Sequence, residues 1–263
     1  MTLSLHPSVT AAVAGSARIV AHTHHDRVTS TNDLAREAVA AGAPLAQLVT
    51  ADRQTAGRGR AGRAWTDDVD GPAGPANLAV SLAVATPPRS PGLVPLAAGL
   101  AVAATYRDAG ADPELKWPND VLLSGAKAAG ILTERHVVAG RDVVVIGCGL
   151  DLDWRGVQRA AEAATWTSLA EAVGRDVDRG EVLGALVVAL DRELDALADP
   201  TVLLERYRER CVTIGRQVRV TLPGDRQLTG QAVGLDREGL LEVDTGGARV
   251  SVQAGDVALT DTA

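Results

Sequence analysis

Phenylalanine is absent from this 263-residue chain, and methionine occurs once. The core must therefore be assembled from Ala, Val and Leu, which makes each of Trp65, Trp117, Trp154, Trp166, Tyr106 and Tyr207 worth locating. The two cysteines, Cys148 and Cys211, give neither the density of a secreted disulfide scaffold nor the spacing of a zinc site, and they point to a reducing cytoplasm. No apolar run reaches the roughly 18 residues a membrane span needs, and the N-terminal MTLSLHPSVTAAVAGSARIV lacks the cationic start of an export signal. There is no repeat period and no low-complexity tract. Cationic excess is missing too: a net charge of -7 and a pI near 5.3 exclude a protein whose main business is coating nucleic acid or an anionic membrane. Any basic site has to be local.

Apolar runs and their punctuation predict an α+β chain. STNDLAREAVAAGA reads as a short helix opening at Ser30, with Asp33 at capping-box spacing, and AQLVTADRQ reads as a strand. NLAVSLAVA, from Asn77 to Ala85, is a second strand between Pro/Gly-rich turns. LVPLAAGLAVAATYRDAG is a long apolar helix with Gly110 suited to its C-terminal end. ELKWP, VLLSG, AKAAGILTERH and RDVVVIGCGLDLD are short β-rich pieces, as in a meander, so the central sheet is expected to be mixed or antiparallel. DRGEVLGALVVALDRELDAL, opened by Asp178 and Glu181, and PTVLLERYRERC, with Pro200 in its first turn, are later helices. Brief alternating strands separated by Pro-Gly and Gly-Gly turns follow, the pattern of a small barrel. The boundary is expected near Thr213, dividing the chain into residues 1–212 and 213–263.

The anomaly in this acidic chain is ADRQTAGRGRAGRAW, which places four arginines and three glycines between Arg53 and Arg63. Residues 57 to 62 match G-x-G-x-x-G, but RAWTDDVDGPAGP cannot be the helix a dinucleotide turn must lead into, and no acid occurs from Gly71 until Asp108. Gly57 and Gly62 also have the Walker A spacing, yet Arg63 and Ala64 stand where Lys and Ser or Thr are required. Two readings remain. Glycines that turn backbone N–H groups toward an anion, with forked guanidinium donors between them, make an anion clamp; alternatively the segment is a solvated surface loop. A second constellation is KWPNDVLLSGAKAAG. Lys116, Asn119, Asp120 and Lys127 supply cations, an amide and a carboxylate, groups suited to ATP, magnesium and an acyl phosphate, with Trp117 held extended before Pro118 and Asn119–Asp120 forming a turn. The plain alternative is a Pro-Asn-Asp hairpin with a lysine on the return strand.

STN at Ser30 to Asn32, QTAGRGRAGRAW at Gln54 to Trp65 and KWPND at Lys116 to Asp120, in this order and at these separations, closely resemble the biotin protein ligases. The resemblance runs by motif from Ser30 to Asp151 and by layout to the C-terminus. It implies a catalytic domain like that of class II tRNA synthetases, with a mixed or antiparallel sheet flanked by helices, and a C-terminal SH3-like barrel. It also implies ATP and Mg2+ as requirements, biotin as substrate, and the biotin carboxyl-carrier domain of a carboxylase as partner. Transferred by position, biotin contacts fall on Ser30, Thr31, Asn32, Gln54, Arg58, Gly59, Arg60 and Lys127. ATP contacts fall on Gly57, Arg63, Trp65, Lys116, Asn119 and Asp120. Arg58, Arg60, Lys127 and Asp120 are the implied catalytic groups, Asp120 orienting Lys127 or accepting a proton from the incoming amine. No protein-held metal, nucleic acid or membrane is implied, and the N-terminal DNA-binding unit of some relatives is not expected.

This chain departs from the family at Ala61 and Ala126, where a basic residue is usual, and at Asp151 of GCGLD, where the family has Asn. Trp154 and Trp166 fall where the family surrounds adenine, but for Trp166 core packing is the favoured reading. His22, His24 and His25, without a cysteine or carboxylate at ligand spacing, are expected to be strand or surface residues. Cys148 reads as a small core residue. Asp67, Asp68 and Asp70 form either a solvated face or a counter-charge for the loop. Two competing functions are a lipoate ligase or octanoyl transferase of the same fold, and an RNA-binding module that uses the Arg/Gly loop. Net acidity and few stacking aromatics weigh against the RNA reading.

Overall fold

Along the chain, a computed structural model describes residues 3–65, 69–87, 91–158, 165–253 and 255–260. Helix α1 (Pro7–Gly15) precedes strand β1 (Ala21–Val28), helix α2 (Thr31–Ala40) and strand β2 (Gln47–Gln54). A two-stranded ribbon, β3 (Asp70–Gly71) with β4 (Gly74–Pro75), leads into β5 (Asn77–Ala85), and α3 (Val94–Asp108) follows. Four strands come next: β6 (Pro113–Lys116), β7 (Asp120–Leu123), β8 (Ala126–Val138) and β9 (Arg141–Asp151). After them stand α4 (Leu169–Val173), α5 (Arg179–Asp195) and α6 (Pro200–Arg210). The chain ends in β10 (Gln217–Thr221), β11 (Gln227–Leu235), β12 (Leu241–Asp244), β13 (Arg249–Val252) and β14 (Asp256–Leu259).

The main sheet has seven strands in the order β1-β2-β5-β9-β8-β7-β6. It is mixed, because β1 and β2 pair in parallel while the remaining pairs are antiparallel. The parallel pair needs a crossover, and α2 provides it. Strand β5 is central and buried on both faces except at its last residue, which explains its almost unbroken apolar sequence. On one face Leu78, Val80 and Leu82 pack with α3 and α5 in the main core. The run of small residues in α3, Ala97 to Ala104, substitutes for the missing phenylalanines: it lets the helix lie close to the sheet, where Gly99 approaches Leu115 and Tyr207. Gly110 adopts φ +98° just past this helix, the left-handed geometry its sequence position suggests. On the opposite face α2 is only ten residues long. Its Ala35 and Val39 cover Val49, Ala83, Val143 and Val145, and the rest of that face is left for the site.

The C-terminal strands form a five-stranded antiparallel sheet ordered β13-β12-β11-β10-β14, with a bulge between Ala232 and Gly234. Among the described residues β13 and β14 stand at its two edges without pairing to each other, an antiparallel arrangement consistent with the expected SH3-like domain although no closed barrel forms among them. Its apolar residues join the main core through Leu235, Leu241 and Val243. Thr213 accepts the Trp117 backbone N–H at 2.9 Å, and the Trp117 indole donates to the Gly239 carbonyl at 3.0 Å. The tryptophan of KWPND is thus a structural tie to the C-terminal sheet. Its turn differs from expectation: the Trp117–Pro118 bond is cis, the turn comprises Trp117 to Asn119, and Asp120 already belongs to β7, paired with Lys116. No helix among the described residues is long and apolar enough to cross a membrane.

Candidate functional site

The uncovered part of the sheet face is floored by residues with little or no side chain. Ser81 of β5 lies opposite Gly147 of β9, Ala79 lies opposite Gly149, and Gly149 lies opposite Gly130 of β8. The absence of side chains is functional geometry. A methyl group on Gly147 would stand 2.3 Å from the Asn32 amide oxygen, and one on Gly149 would stand 2.4 Å from the Trp65 ring. One on Gly130 would stand 2.9 Å from the same indole. Two glycines facing each other across β8 and β9 therefore seat Trp65, and Gly147 makes room for Asn32. Above this floor is a cavity of about 710 Å3. That size suits a small organic ligand with an attached nucleotide.

One end of the cavity is neutral and buried. Ser30 takes the N-cap position of α2, but its side chain makes no cap bond. The expected capping box is absent because Gln54 of β2 does the work: its amide oxygen accepts the Thr31 backbone N–H at 2.8 Å and the Thr31 hydroxyl at 3.1 Å. Ser30 is thereby left to line the cavity, and Asp33 turns to Arg58 instead. The Ser81 hydroxyl lies 2.8 Å from that of Thr31 and 2.6 Å from the Asn32 carbonyl oxygen, and the Asn32 amide donates to Glu134 at 2.8 Å. Thr31, Asn32, Gln54 and Ser81 are all but fully withdrawn from solvent, so their pairing is required rather than optional, whereas Glu134 is only partly buried.

The other end is cationic. The Arg/Gly segment is neither bare nor simply a solvated loop: it folds back on itself, Gly59 donating to the Arg63 carbonyl and Trp65 to that of Gly57. Arg58 is gripped by Asp33 at 2.5 Å and Glu134 at 3.1 Å. Hydrogen bonding to Arg58 holds the Asp33 carboxyl below its ordinary range, and the same contact raises the guanidinium. Arg60 donates to the Asn119 side chain at 3.0 Å, and burial lowers its pKa from the usual arginine value. Arg63 pairs with Asp256 of β14 at 2.8 Å. The counter-charges thus come from α2, β8 and the C-terminal sheet. Asp70, proposed above as one, binds Arg53, and Asp67 and Asp68 lie outside the described residues.

Between the two ends stands Lys127 of β8, 2.8 Å from Asp120 of β7 and bracketed by two indoles, its ammonium 5.4 Å from the Trp65 ring and 5.1 Å from that of Trp166. Trp65 and Trp166 stack at 5.3 Å, and Trp154 packs 6.2 Å from Trp166. Trp166 is therefore a half-buried wall of the cavity, correcting its reading as core, whereas Trp154 is buried with its N–H on Asn77. The segment holding Trp166 is tied to Lys127 by backbone bonds, since Lys127 donates to Thr165 and Thr167 donates to Lys127. The Trp65 indole N–H is buried without a partner among the described residues, an orphan donor beside the cavity.

Ser30, Thr31, Asn32, Gln54, Arg58, Gly59, Arg60, Arg63, Trp65, Lys116, Asn119, Asp120 and Lys127 all line this one cavity. Gly57 does not. It is buried behind the wall, where a side chain would meet the Trp65 carbonyl at 2.8 Å, so its part is to let the two ends of the loop approach. Sequence reasoning missed Ser81 and Glu134. The available signals were a lone hydroxyl in NLAVSLAVA and a lone acid inside AKAAGILTERHVV. Cys148 is buried as expected, its thiol pushed up to about 12 by desolvation, and it also borders the cavity. The histidines do lie on β1, but carboxylates are within ligand reach after all: one ligand atom each of His24, Asp26 and Asp52 falls within 4.8 Å of the others. The Arg179 guanidinium, 2.7 Å from Asp52, supplies the positive charge there.

Comparison with known proteins bears on this geometry directly. Residues 25–151 match the model of the biotin/lipoate A/B protein ligase family, and residues 213–260 match that of the biotin protein ligase C-terminal domain. A biotin–[acetyl-CoA-carboxylase] ligase of Mycobacterium tuberculosis is 37% identical over 243 residues, covering 87% of this chain and 84% of that protein. A bifunctional ligase/repressor of Bacillus subtilis is 32% identical over 246 residues, covering 90% of this chain and 73% of that protein. Among solved structures, the biotin protein ligase of Aquifex aeolicus in complex with biotin and ATP superposes with a TM-score of 0.77 at 26% identity, covering 93% of this chain and all of that one (100%).

Proposed function

This chain belongs to the biotin protein ligase family, and from that premise we propose that it joins biotin to ATP as biotinyl-5'-AMP and then passes the biotinyl group to a lysine on the biotin carrier domain of a carboxylase. The observation that carries this reading is the two-ended cavity: neutral donors and acceptors at one end, three arginines at the other, and Lys127 between them. The ureido head of biotin offers both N–H and C=O, which Ser30, Thr31, Asn32 and Gln54 complement on an otherwise apolar floor. The valerate carboxylate then points toward the cations.

The first step joins two anions. The biotin carboxylate oxygen attacks the α-phosphorus of ATP, the bond to the bridging oxygen breaks, and pyrophosphate leaves. Arg58, Arg60 and Lys127 offset the repulsion of the approach and stabilise the charge that gathers on the α-phosphoryl oxygens. Mg2+ supplies further positive charge to the phosphates when bound. The lining would fit an ion that keeps its water and ATP ligands, because among the described residues Asp120 is the sole acid on the cavity wall and Asn119 adds an amide oxygen. Lys116, Arg63 and Trp65 serve the nucleotide, the Trp65 N–H being a donor still to be satisfied. In the second step the carrier amine attacks the acyl carbon and AMP leaves. Asp120 holds Lys127 in place and offers a carboxylate on the cavity wall for the proton the amine sheds.

We assign this chemistry to residues 1–212 and a supporting role to residues 213–263, whose Asp256 reaches the loop. The two cysteines are free and buried, in keeping with a cytoplasmic enzyme. Incubating the protein with biotin, ATP-Mg2+ and a carboxylase carrier domain should raise the carrier mass by one biotinyl group. No mass increase, or an increase with lipoate instead, would overturn the assignment.

A further inference from the structure

Glu134 does not line the cavity, yet it touches both of its ends. Its Oε2 accepts the Asn32 Nδ2–H at 2.8 Å and an Arg58 Nη2–H at 3.1 Å, and its Oε1 lies 3.2 Å from the same guanidinium nitrogen. Asn32 is thus fixed from two sides. A carboxylate can only accept, so it claims the amide nitrogen, while the Ser81 hydroxyl at 2.6 Å takes the carbonyl oxygen. That fixes which way the amide points and leaves one N–H and one lone pair for a ligand. The same carboxylate, with Asp33, sets where Arg58 stands at the mouth of the anion end. A line of polar contacts, none longer than 3.1 Å, joins Gln54 through Thr31, Ser81, Asn32 and Glu134 to Arg58, with Gln54 accepting the Thr31 backbone N–H and the single Ser81 proton directed to Asn32. Gly147, which any side chain would drive into Asn32, keeps this line open.

We infer that Glu134 is a positioning residue that makes the head-group end and the anion end of the cavity one cooperative unit, so that filling the neutral end with a cyclic urea orders the arginine that receives the carboxylate. The inference rests on the proposed biotin-ligating function. The shared oxygen makes it more than proximity: a shift of Asn32 toward its ligand changes the electron density Oε2 offers Arg58, and a shift of Arg58 changes what is left for Asn32. Asp33 keeps a second hold on Arg58, so removing Glu134 unlinks the two ends without releasing the loop.

The test is calorimetric titration of biotin, without ATP, into the full-length protein and its Asn32→Ala, Arg58→Ala and double variants. The same set is then measured with Glu134→Ala added. In the native background the double variant should lose less affinity than the product of the single losses, by at least about threefold. With Glu134→Ala that coupling should vanish to within about twofold, and Glu134→Ala alone should weaken biotin about tenfold. Glu134→Gln keeps an acceptor for Asn32 but gives up the charge facing Arg58. It should hold affinity to within about threefold while the coupling disappears, and it decides the matter should the alanine variant fail to fold. Additive losses in the native background, or coupling that survives in Glu134→Gln, would overturn the inference. If the wild-type protein leaves the carrier domain unmodified, the functional reading fails instead. Carrier modification by the wild type with additive losses leaves that reading standing and removes only the role of Glu134.

Discussion

The two ends of the cavity are built on different physical terms. At the neutral end the polar groups belong to α2, β2 and β5, are withdrawn from water, and satisfy one another through short bonds between secondary-structure elements. At the cationic end Arg58 and Arg63 belong to a loop, are partly exposed, and are held by carboxylates from three separate parts of the chain, while the more buried Arg60 rests on the Asn119 amide. A buried amide must be paired whether or not a ligand is present, because leaving it unpaired costs about 1–3 kcal/mol. An arginine near the surface gains little from its ion pair, about 0–1 kcal/mol, and can exchange one carboxylate for another at small cost. Shape recognition is therefore fixed in the fold, while charge recognition is parked on partners that an incoming anion can replace.

Four variants would break or sharpen that contrast. The largest effect is expected where the ends meet: Lys127→Ala should lower biotin-dependent pyrophosphate release by about two to three orders of magnitude, measured on protein whose circular dichroism is unchanged. Release within a few fold of wild type would take Lys127 out of the chemistry. Next comes the floor. Gly149→Ala puts a methyl group into the Trp65 ring, an overpacking worth about 1–3 kcal/mol, so ATP affinity should fall roughly tenfold to a hundredfold. A crystal structure of the variant should show the indole displaced. A smaller change is expected at the parked charges: Asp33→Asn should alter biotin KM by only about twofold to fivefold and should speed tryptic cleavage after Arg58.

The sign of the pH effect there follows from the depressed Asp33 value. The contribution of the pair is complete above the ordinary carboxylate range and is lost only as the solution is acidified through the lower folded-state value. Tryptic susceptibility after Arg58, taken relative to cleavage of a small arginine substrate at the same pH, should therefore be flat from neutrality down to about 5. His22, at the far edge of the sheet, is a control remote from both ends. Burial, and then repulsion from His24, lower it to about 4, so the folded state resists a proton that the unfolded state accepts near 6.5. Stability should fall as pH drops between those values, by about 1–2 kcal/mol after solvent screening, and His22→Gln should flatten that part of the melting profile.

Much of this was legible in the chain. NLAVSLAVA is the observed strand residue for residue, and the helix capped by Asp178 begins where its signal stands, the carboxylate accepting from Gly180 and Glu181. Sharp punctuation around strongly apolar runs made those segments readable. Helix α1 was not seen, because PSVTAAVAG is apolar on every side and shows no helical stripe until α5 packs on it. Ser30 looked like a cap because spacing cannot reveal that Gln54, 24 residues further along the chain, has taken the role over. The motif residues were found because their types are unusual together; Ser81 and Glu134 were not, because each is an ordinary residue whose importance lies in what the fold sets beside it. Gly57 errs the other way: it belongs to the motif but works behind the wall.

With no phenylalanine and four tryptophans, this chain keeps half of its indoles, Trp65 and Trp166, stacked at the cavity wall around one ammonium group, with Trp154 against the outer ring. Its intrinsic emission is consequently weighted toward one spot. Any molecule that parts the stacked pair or shifts Lys127 must change the colour or yield of that light, so ligand arrival can be followed in real time with no dye or label attached.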